Sequence, residues 1–364
     1  MTQAPPPRRK LLDRITTRTI DEVEVVASVM FAIAVAHWLG AANVYWAAFA
    51  GYMVMRGHAG ETLVRGLLRI IGTGAGGLLA LAAAPFLGWW PAAALALFVV
   101  GGGALYAAIT AKRSYAWLFF GLTFAMVVLD KLAHPNVALA SFVETRVLET
   151  VAGTLACVAV SLASTLTLRR IWPAVPAPRP AGLGWHPEAA RHALQGATAL
   201  ALLVGISAWL HISALSQGAI GIMAVMLVPA DSIGSSGLMP VSRRLVQRFV
   251  GCLAGATLAA VILFAAQGSA PLLILGTIAG VVIGKHLENG APAHRYVGTQ
   301  FALAILIILV PDSYADAQIG PGLMRLAGVL IGFAVLEPVL LAWHWIAPRR
   351  QVAVQSKEDA PGDI

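Results

Sequence analysis

Residues Arg65 to Ala80 read RGLLRIIGTGAGGLLA, and Arg244 to Ala259 read RLVQRFVGCLAGATLA. Arg65 recurs as Arg244, Arg69 as Arg248, Gly72 as Gly251 and Gly76 as Gly255, each 179 positions on. The same offset carries Arg146 onto Arg325 and Gly153 onto Gly332. One offset shared by separated patches predicts a duplicated unit. Each copy sets two arginines one helical turn apart, then two glycines one turn apart, in an apolar run. Whatever the chain folds into, it must place charge within apolar helices twice over.

The surrounding composition fixes the class. Of 364 residues, 59% are hydrophobic and 12% charged, with a mean hydropathy of +0.79. A soluble domain carries about 25% charged residues. The pattern predicts an all-α polytopic membrane protein embedded in a lipid bilayer. A net charge of +8 would suggest nucleic acid in a soluble chain; here topology accounts for it, and no nucleic-acid partner is expected. Cys157 and Cys252 both lie inside apolar runs, which argues against a disulfide. Ala34-Val35-Ala36 resembles a signal-peptidase site, but Asp21, Glu22 and Glu24 open that run, so it is read as a retained first helix.

A basic segment, 1–20, precedes six apolar runs at 22–39, 43–55, 66–84, 91–110, 115–130 and 145–168. A Pro-rich linker, 169–190, follows, then six more runs at 191–210, 213–230, 244–266, 270–284, 297–311 and 322–346, and a polar tail, 347–364. The expected domains are therefore a first repeat over 21–168 and a second over 191–346. With twelve spans and a cytoplasmic N-terminus, every Lys and Arg except Lys131, Arg146 and Arg325 falls on the cytoplasmic side, as the positive-inside bias requires. Six spans per copy make the repeats parallel, with both termini cytoplasmic. The runs 43–55, 270–284 and 297–311 are shorter than the roughly 20 residues a span needs. Either flanking residues extend them, or they are half-helices held within protein.

The candidate residues follow from this frame. Gly72-Thr73-Gly74-Ala75-Gly76-Gly77 formally matches a dinucleotide fingerprint, but that motif needs a preceding strand. Gly72, Gly76, Gly251 and Gly255 instead read as close helix-packing contacts. Arg65 and Arg244 suit snorkelling at the cytoplasmic helix ends, whereas Arg69 and Arg248, a turn deeper, are candidates to line the bundle interior. Arg146 and Arg325 break the charge rule and are expected to form a positive rim at the outer mouth. The competing reading for Arg146 is an ion pair with Glu144 or Glu149. Together the six arginines would make cationic rings at both ends of a path, and such rings select anions. Glu337, followed by Pro338, is the deepest acid and a candidate either to neutralise Arg69 or Arg248 or to carry protons. Tyr45-Trp46 is a candidate contact for an aromatic substrate. Glu22, Glu24, Asp130 and Asp231, at span ends, and Lys285, His286, Glu288 and His294, in a loop, are read as solvated. No metal set, cofactor motif or nucleophile–base cluster marks an enzyme.

Tyr45-Trp46-Ala47-Ala48, a short apolar run, then Arg65-x3-Arg69-x2-Gly72-Thr73 resembles the fusaric acid resistance family of bacterial inner-membrane proteins. The second copy, Arg244-x3-Arg248-x2-Gly251, is similar, with Gln217 near where Trp46 would fall. The resemblance implies efflux of aromatic carboxylic acids such as hydroxybenzoates. It also implies distant similarity to plant aluminium-activated malate transporters, which assemble two six-helix units around an anion pore. Many members carry sizeable cytoplasmic domains after their membrane bundles; here only the linker and the tail stand in those places.

The expectation is a multi-pass exporter of small organic anions in the bacterial inner membrane, with substrate drawn by the arginines and protons as a possible coupling ion. The rivals are an anion channel without proton coupling and a non-catalytic subunit of a larger complex. A homo-oligomer or a periplasmic adaptor is compatible with either.

Overall fold

A computed structural model describes residues 9–175, 182, 184–210, 215–229, 232–233, 239–314 and 317–346. Asp231, residues 1–8, residues 176–181 and 183 of the Pro-rich linker, and the tail lie outside the described residues. The elements are α1 (Arg9–Trp38), α2 (Tyr45–Val54), α3 (Ala59–Leu87), α4 (Trp90–Thr110), α5 (Ser114–Ala133), α6 (Leu139–Leu166), α7 (Pro187–Leu210), α8 (Leu215–Met226), α9 (Met239–Ala266), α10 (Ala270–Glu288), α11 (Arg295–Leu309) and α12 (Gly320–Ile346). One helical turn, Leu168–Ile171, follows α6, and α4 widens into a π-helical turn at Leu97–Gly101.

Among the described helices, eight are long and apolar enough to cross a membrane: α3, α4, α5, α6, α7, α9, α10 and α12. Their polarity is inverted relative to a soluble helix. On α3, Leu67, Ile71 and Leu78 are exposed, whereas Arg69, Gly72 and Gly76 are buried. Only an apolar surrounding makes that arrangement favourable.

The short runs separate into two kinds. The run 270–284 is extended by flanking polar residues into the 19-residue α10. By contrast, α2 has only 10 residues, about 15 Å of helix against a hydrocarbon core of about 30 Å. It is held inside protein, with Ala47 to Tyr52 and Val54 all buried.

The duplicated glycines set the helix spacing. A Cβ on Gly72 would lie 2.3 Å from the Ala116 carbonyl oxygen, and one on Gly76 would lie 2.3 Å from that of Phe120, both on α5. On α9, Cβ atoms at Gly251 and Gly255 would each lie 2.5 Å from the Val297 and Phe301 carbonyl oxygens of α11. Backbone meets backbone at these positions, so the sequence expectation of close packing there agrees with the geometry.

The halves of the chain interlock. Helix α1 lies against α10 and α7 against α4, while α5 meets α8 and α2 meets α11. Both large hydrophobic clusters draw on both halves: Leu105 and Phe124 pack with Leu200 and Met223 in one, and Val29 and Phe49 with Leu306 and Ile308 in the other.

Polar links reinforce this, and they correct the expectation of solvated termini. Glu24 is buried; it accepts hydrogen bonds from Arg169 and Ser164, and Arg169 also pairs with Asp21. Glu22 contacts His286 at 2.8 Å. Lys285 is buried and pairs with Glu288 at 2.8 Å, and the Tyr52 hydroxyl donates to the same carboxylate at 2.7 Å. Glu24 and Glu288 are shielded because Arg169 and Tyr52 reach them from far along the chain.

The glycine contacts generate a paired test. Gly76→Ala puts a methyl against the Phe120 carbonyl and should cost about 1–3 kcal/mol by overpacking. Gly74→Ala, which meets nothing within 4 Å, should leave the melting temperature unchanged or slightly raised by the better helix propensity of alanine. Equal melting temperatures for both variants in detergent would refute the packing role of Gly76.

Candidate functional site

A cavity of about 330 Å³ opens where the two halves meet. It is lined by Trp46, Phe49 and Met53 of α2, Arg65 and Arg69 of α3, Tyr115 and Phe119 of α5, Ile220 and Ala224 of α8, Arg244 and Arg248 of α9, Tyr296, Thr299 and Gln300 of α11, and Arg325 of α12. Five of these residues are arginines and none is a carboxylate. A smaller cavity of about 40 Å³ adjoins it, sharing Trp46, Arg69, Phe119, Leu122 and Ile220 and adding Arg146 and Glu149.

Each guanidinium is held in a defined way. The Arg65 Nε donates to the Met53 carbonyl at 3.0 Å, and its Cζ lies 3.7 Å from the centre of the Tyr115 ring. Arg244 donates to the Leu227 carbonyl and lies over Tyr296 at 5.2 Å. Both carbonyls belong to the C-terminal ends of the short helices α2 and α8, where backbone acceptors lack intrahelical donors. Basic side chains fit there by charge as well. Arg69 stacks over Phe119 at 4.0 Å and donates to the Tyr115 hydroxyl at 3.2 Å. Arg248 donates to the Gln300 Oε1 at 2.9 Å, and Arg325 donates to the same oxygen at 3.0 Å. The aromatic contacts contribute up to about 2 kcal/mol each where water is excluded.

Arg69, Arg146, Arg248 and Arg325 are 2–7% exposed, so none faces a surrounding lipid. Arg65 and Arg244 line the cavity instead of snorkelling outward. The expected two rings do not form. Arg69, Arg248 and Arg325 gather on one cavity, and Arg146 sits beside it. The reason is helix length. α6 starts at Leu139 and α12 at Gly320, so Arg146 and Arg325 lie about 10 and 7.5 Å inside their helix starts at 1.5 Å per residue. They are interior groups, not a rim.

Arg146 pairs with Glu149 at 3.2 Å, with both side chains buried, and lies 4.5 Å from the Trp46 ring centre. Among the described residues, no ion pair holds Arg65, Arg69, Arg244, Arg248 or Arg325. Glu337 does not neutralise Arg69 or Arg248. It is half-buried on α12, lines neither cavity, and its Oε1 is buried without a hydrogen-bond partner. Of Tyr45-Trp46, only Trp46 reaches the cavity; the Tyr45 ring packs on Trp46 at 5.6 Å and Phe49 at 5.7 Å.

Sequence reasoning missed Tyr115, Phe119, Tyr296 and Gln300. Tyr115 and Tyr296 are 181 positions apart, as are Phe119 and Gln300. A search at a fixed offset of 179 skips all four, and allowing a two-residue slip would have found the repeated tyrosine.

A family model described as fusaric acid resistance protein-like matches residues 31–160 and 200–336, most of the chain and both segments that supply the cavity. No match is found among curated proteins or among solved structures.

The buried pair gives a stability test. Glu149→Gln strands the Arg146 charge and should cost about 3–5 kcal/mol, whereas the double change Arg146→Gln with Glu149→Gln should recover most of the loss. Melting curves in detergent would check this. Full stability in Glu149→Gln alone would show that the pair is not what holds Arg146.

Proposed function

The chain belongs to the fusaric acid resistance protein-like family, and from that membership and the cavity we propose that it exports organic anions, aromatic carboxylates foremost, across a bacterial inner membrane. Its multiple apolar helices make it a multi-pass membrane protein, and the family supports transport rather than catalysis. The finer architecture we propose is twelve helices in two parallel six-helix repeats, with both termini cytoplasmic. The matched contacts of Gly72 and Gly76 with α5, and of Gly251 and Gly255 with α11, support it.

The observation that carries the transport reading is five guanidiniums and no carboxylate around one largely apolar cavity, drawn from both halves. Such a cavity strongly favours a single negative solute. At an effective dielectric near 20, a carboxylate 4 Å from one arginine gains about 4 kcal/mol before desolvation. Several arginines sharing one anion offset the water it loses. Release is then driven by the membrane potential. A monoanion leaving a negative-inside cell gains about 2.3 kcal/mol per 100 mV, enough for roughly a fifty-fold outward gradient at 1.4 kcal/mol per tenfold.

The second reading is an uncoupled anion channel, and the position of Glu337 favours it. The acid proposed as a proton carrier lines neither cavity, and the carboxylate that borders the smaller one, Glu149, is engaged by Arg146. Anion currents in planar bilayers that do not change with pH would support the channel; pH-driven uptake into inverted vesicles would support a coupled carrier.

Arg248→Gln should reduce benzoate flux in proteoliposomes at least tenfold, about 1.4 kcal/mol, with expression retained. Glu337→Gln should leave benzoate binding within twofold. Unchanged flux in Arg248→Gln would remove the cavity from the transport path.

A further inference from the structure

The two sides of the cavity are built from corresponding positions but are not chemically alike. Where α5 carries Phe119, α11 carries Gln300. Arg69 therefore stacks on a ring at 4.0 Å, whereas Arg248 bonds an amide oxygen at 2.9 Å. A second difference lies on α6 and α12. Glu149 pairs with Arg146, but the position 179 residues on is Gly328. A Cβ there would lie 2.3 Å from that of Gln217, so no acid side chain fits opposite Arg325.

These differences polarise the cavity. On the first side Arg146, beside the cavity, is neutralised by Glu149, and the wall presents Trp46, Phe49 and Phe119. On the second side Arg248 and Arg325 both donate to one neutral oxygen, the Gln300 Oε1. All three of these side chains are at most 3% exposed. Nε and Nη2 of Arg248 and Nε of Arg325 are buried with no hydrogen-bond partner. A glutamine bridge holds two cations together without cancelling either. Both arginines line the cavity, and guanidinium groups paired in this way suit a carboxylate there.

The polar and aromatic sides also touch. The Arg325 Cζ lies 5.7 Å from the centre of the Phe49 ring. A ligand whose carboxyl group is attached directly to a ring spans that junction without a linker.

Resting on the reading of the cavity as an anion site, we propose that Arg248, Gln300 and Arg325 form a carboxylate subsite and Trp46, Phe49 and Phe119 a ring subsite. An aromatic monocarboxylate therefore binds in a single orientation, its charge toward the second half of the chain. Gln300 sets charge selectivity and Phe119 sets ring selectivity.

The test is titration of the purified full chain in nanodiscs with benzoate, acetate and benzyl alcohol. Wild type should bind benzoate at least tenfold more tightly than acetate, and benzyl alcohol more weakly than benzoate by a similar factor. Gln300→Glu supplies a tethered carboxylate and should weaken benzoate at least tenfold. Gln300→Leu removes the bridging oxygen without adding charge and should weaken benzoate less than Gln300→Glu does. Phe119→Leu should weaken benzoate severalfold and leave acetate unchanged. If Gln300→Glu does not fold, Arg325→Gln carries the same expectation. Wild-type benzoate affinity in Gln300→Glu or Arg325→Gln, with loss in Arg69→Gln, would overturn the orientation while leaving the anion cavity intact. Failure of the wild type to bind either anion would overturn the cavity reading itself.

Discussion

A guanidinium placed among apolar helices dictates much of what surrounds it. On insertion scales such a group costs about 2.5–3.5 kcal/mol at a helix centre, and it cannot shed its charge as a lysine can. Something within reach must offset that. Here the offsets are aromatic faces, helix-end carbonyls, one amide and, for Arg146 alone, a carboxylate. The short helices follow from this. If α2 continued past Val54, its Met53 carbonyl would be taken up by the helix and lost to Arg65. If α8 continued past Met226, Arg244 would lose the carbonyl of Leu227. Stopping these helices within the protein supplies acceptors to cations that lipid cannot serve.

The glycines complete the arrangement from the other side. Arg69 and Arg248 each precede a pair of glycines on the same helix, and those glycines draw α5 and α11 into backbone contact. That approach brings Tyr115 and Phe119, or Tyr296 and Gln300, against the arginines. Charge and its compensation are therefore set by one helix pair in each half, and the cavity is the space where the two pairs face each other.

The helical membrane class, the paired arginines and the packing glycines were legible in the sequence because each is local: spacing within one helix reveals them. What was not legible depends on where helices begin and on which distant element arrives. Arg146 and Arg325 were misplaced because α6 starts well before its apolar run, at Leu139, and α12 slightly before its own, at Gly320. Glu24 and Glu288 looked solvated because Arg169 and Tyr52, which cover them, lie far away in sequence. Gln300 gave no signal because an amide inside an apolar run has no meaning until two arginines meet at its oxygen. Depth alone could not say whether Glu337 meets Arg69 or Arg248, since position along a helix says nothing about which neighbour a side chain turns toward.

The acids midway along α1 carry a consequence for how the chain is made. Glu24 is joined by Arg169, 145 residues further on, and Glu22 by His286, 264 residues further on. During synthesis the first helix emerges before either partner exists. Its carboxylates must stay in contact with water until the end of α6 appears, and its seat against α10 is not available until most of the chain has been translated. Helix α1 can settle on α2 and α6 as soon as these appear, but its face toward α10 stays open until the second half of the chain arrives.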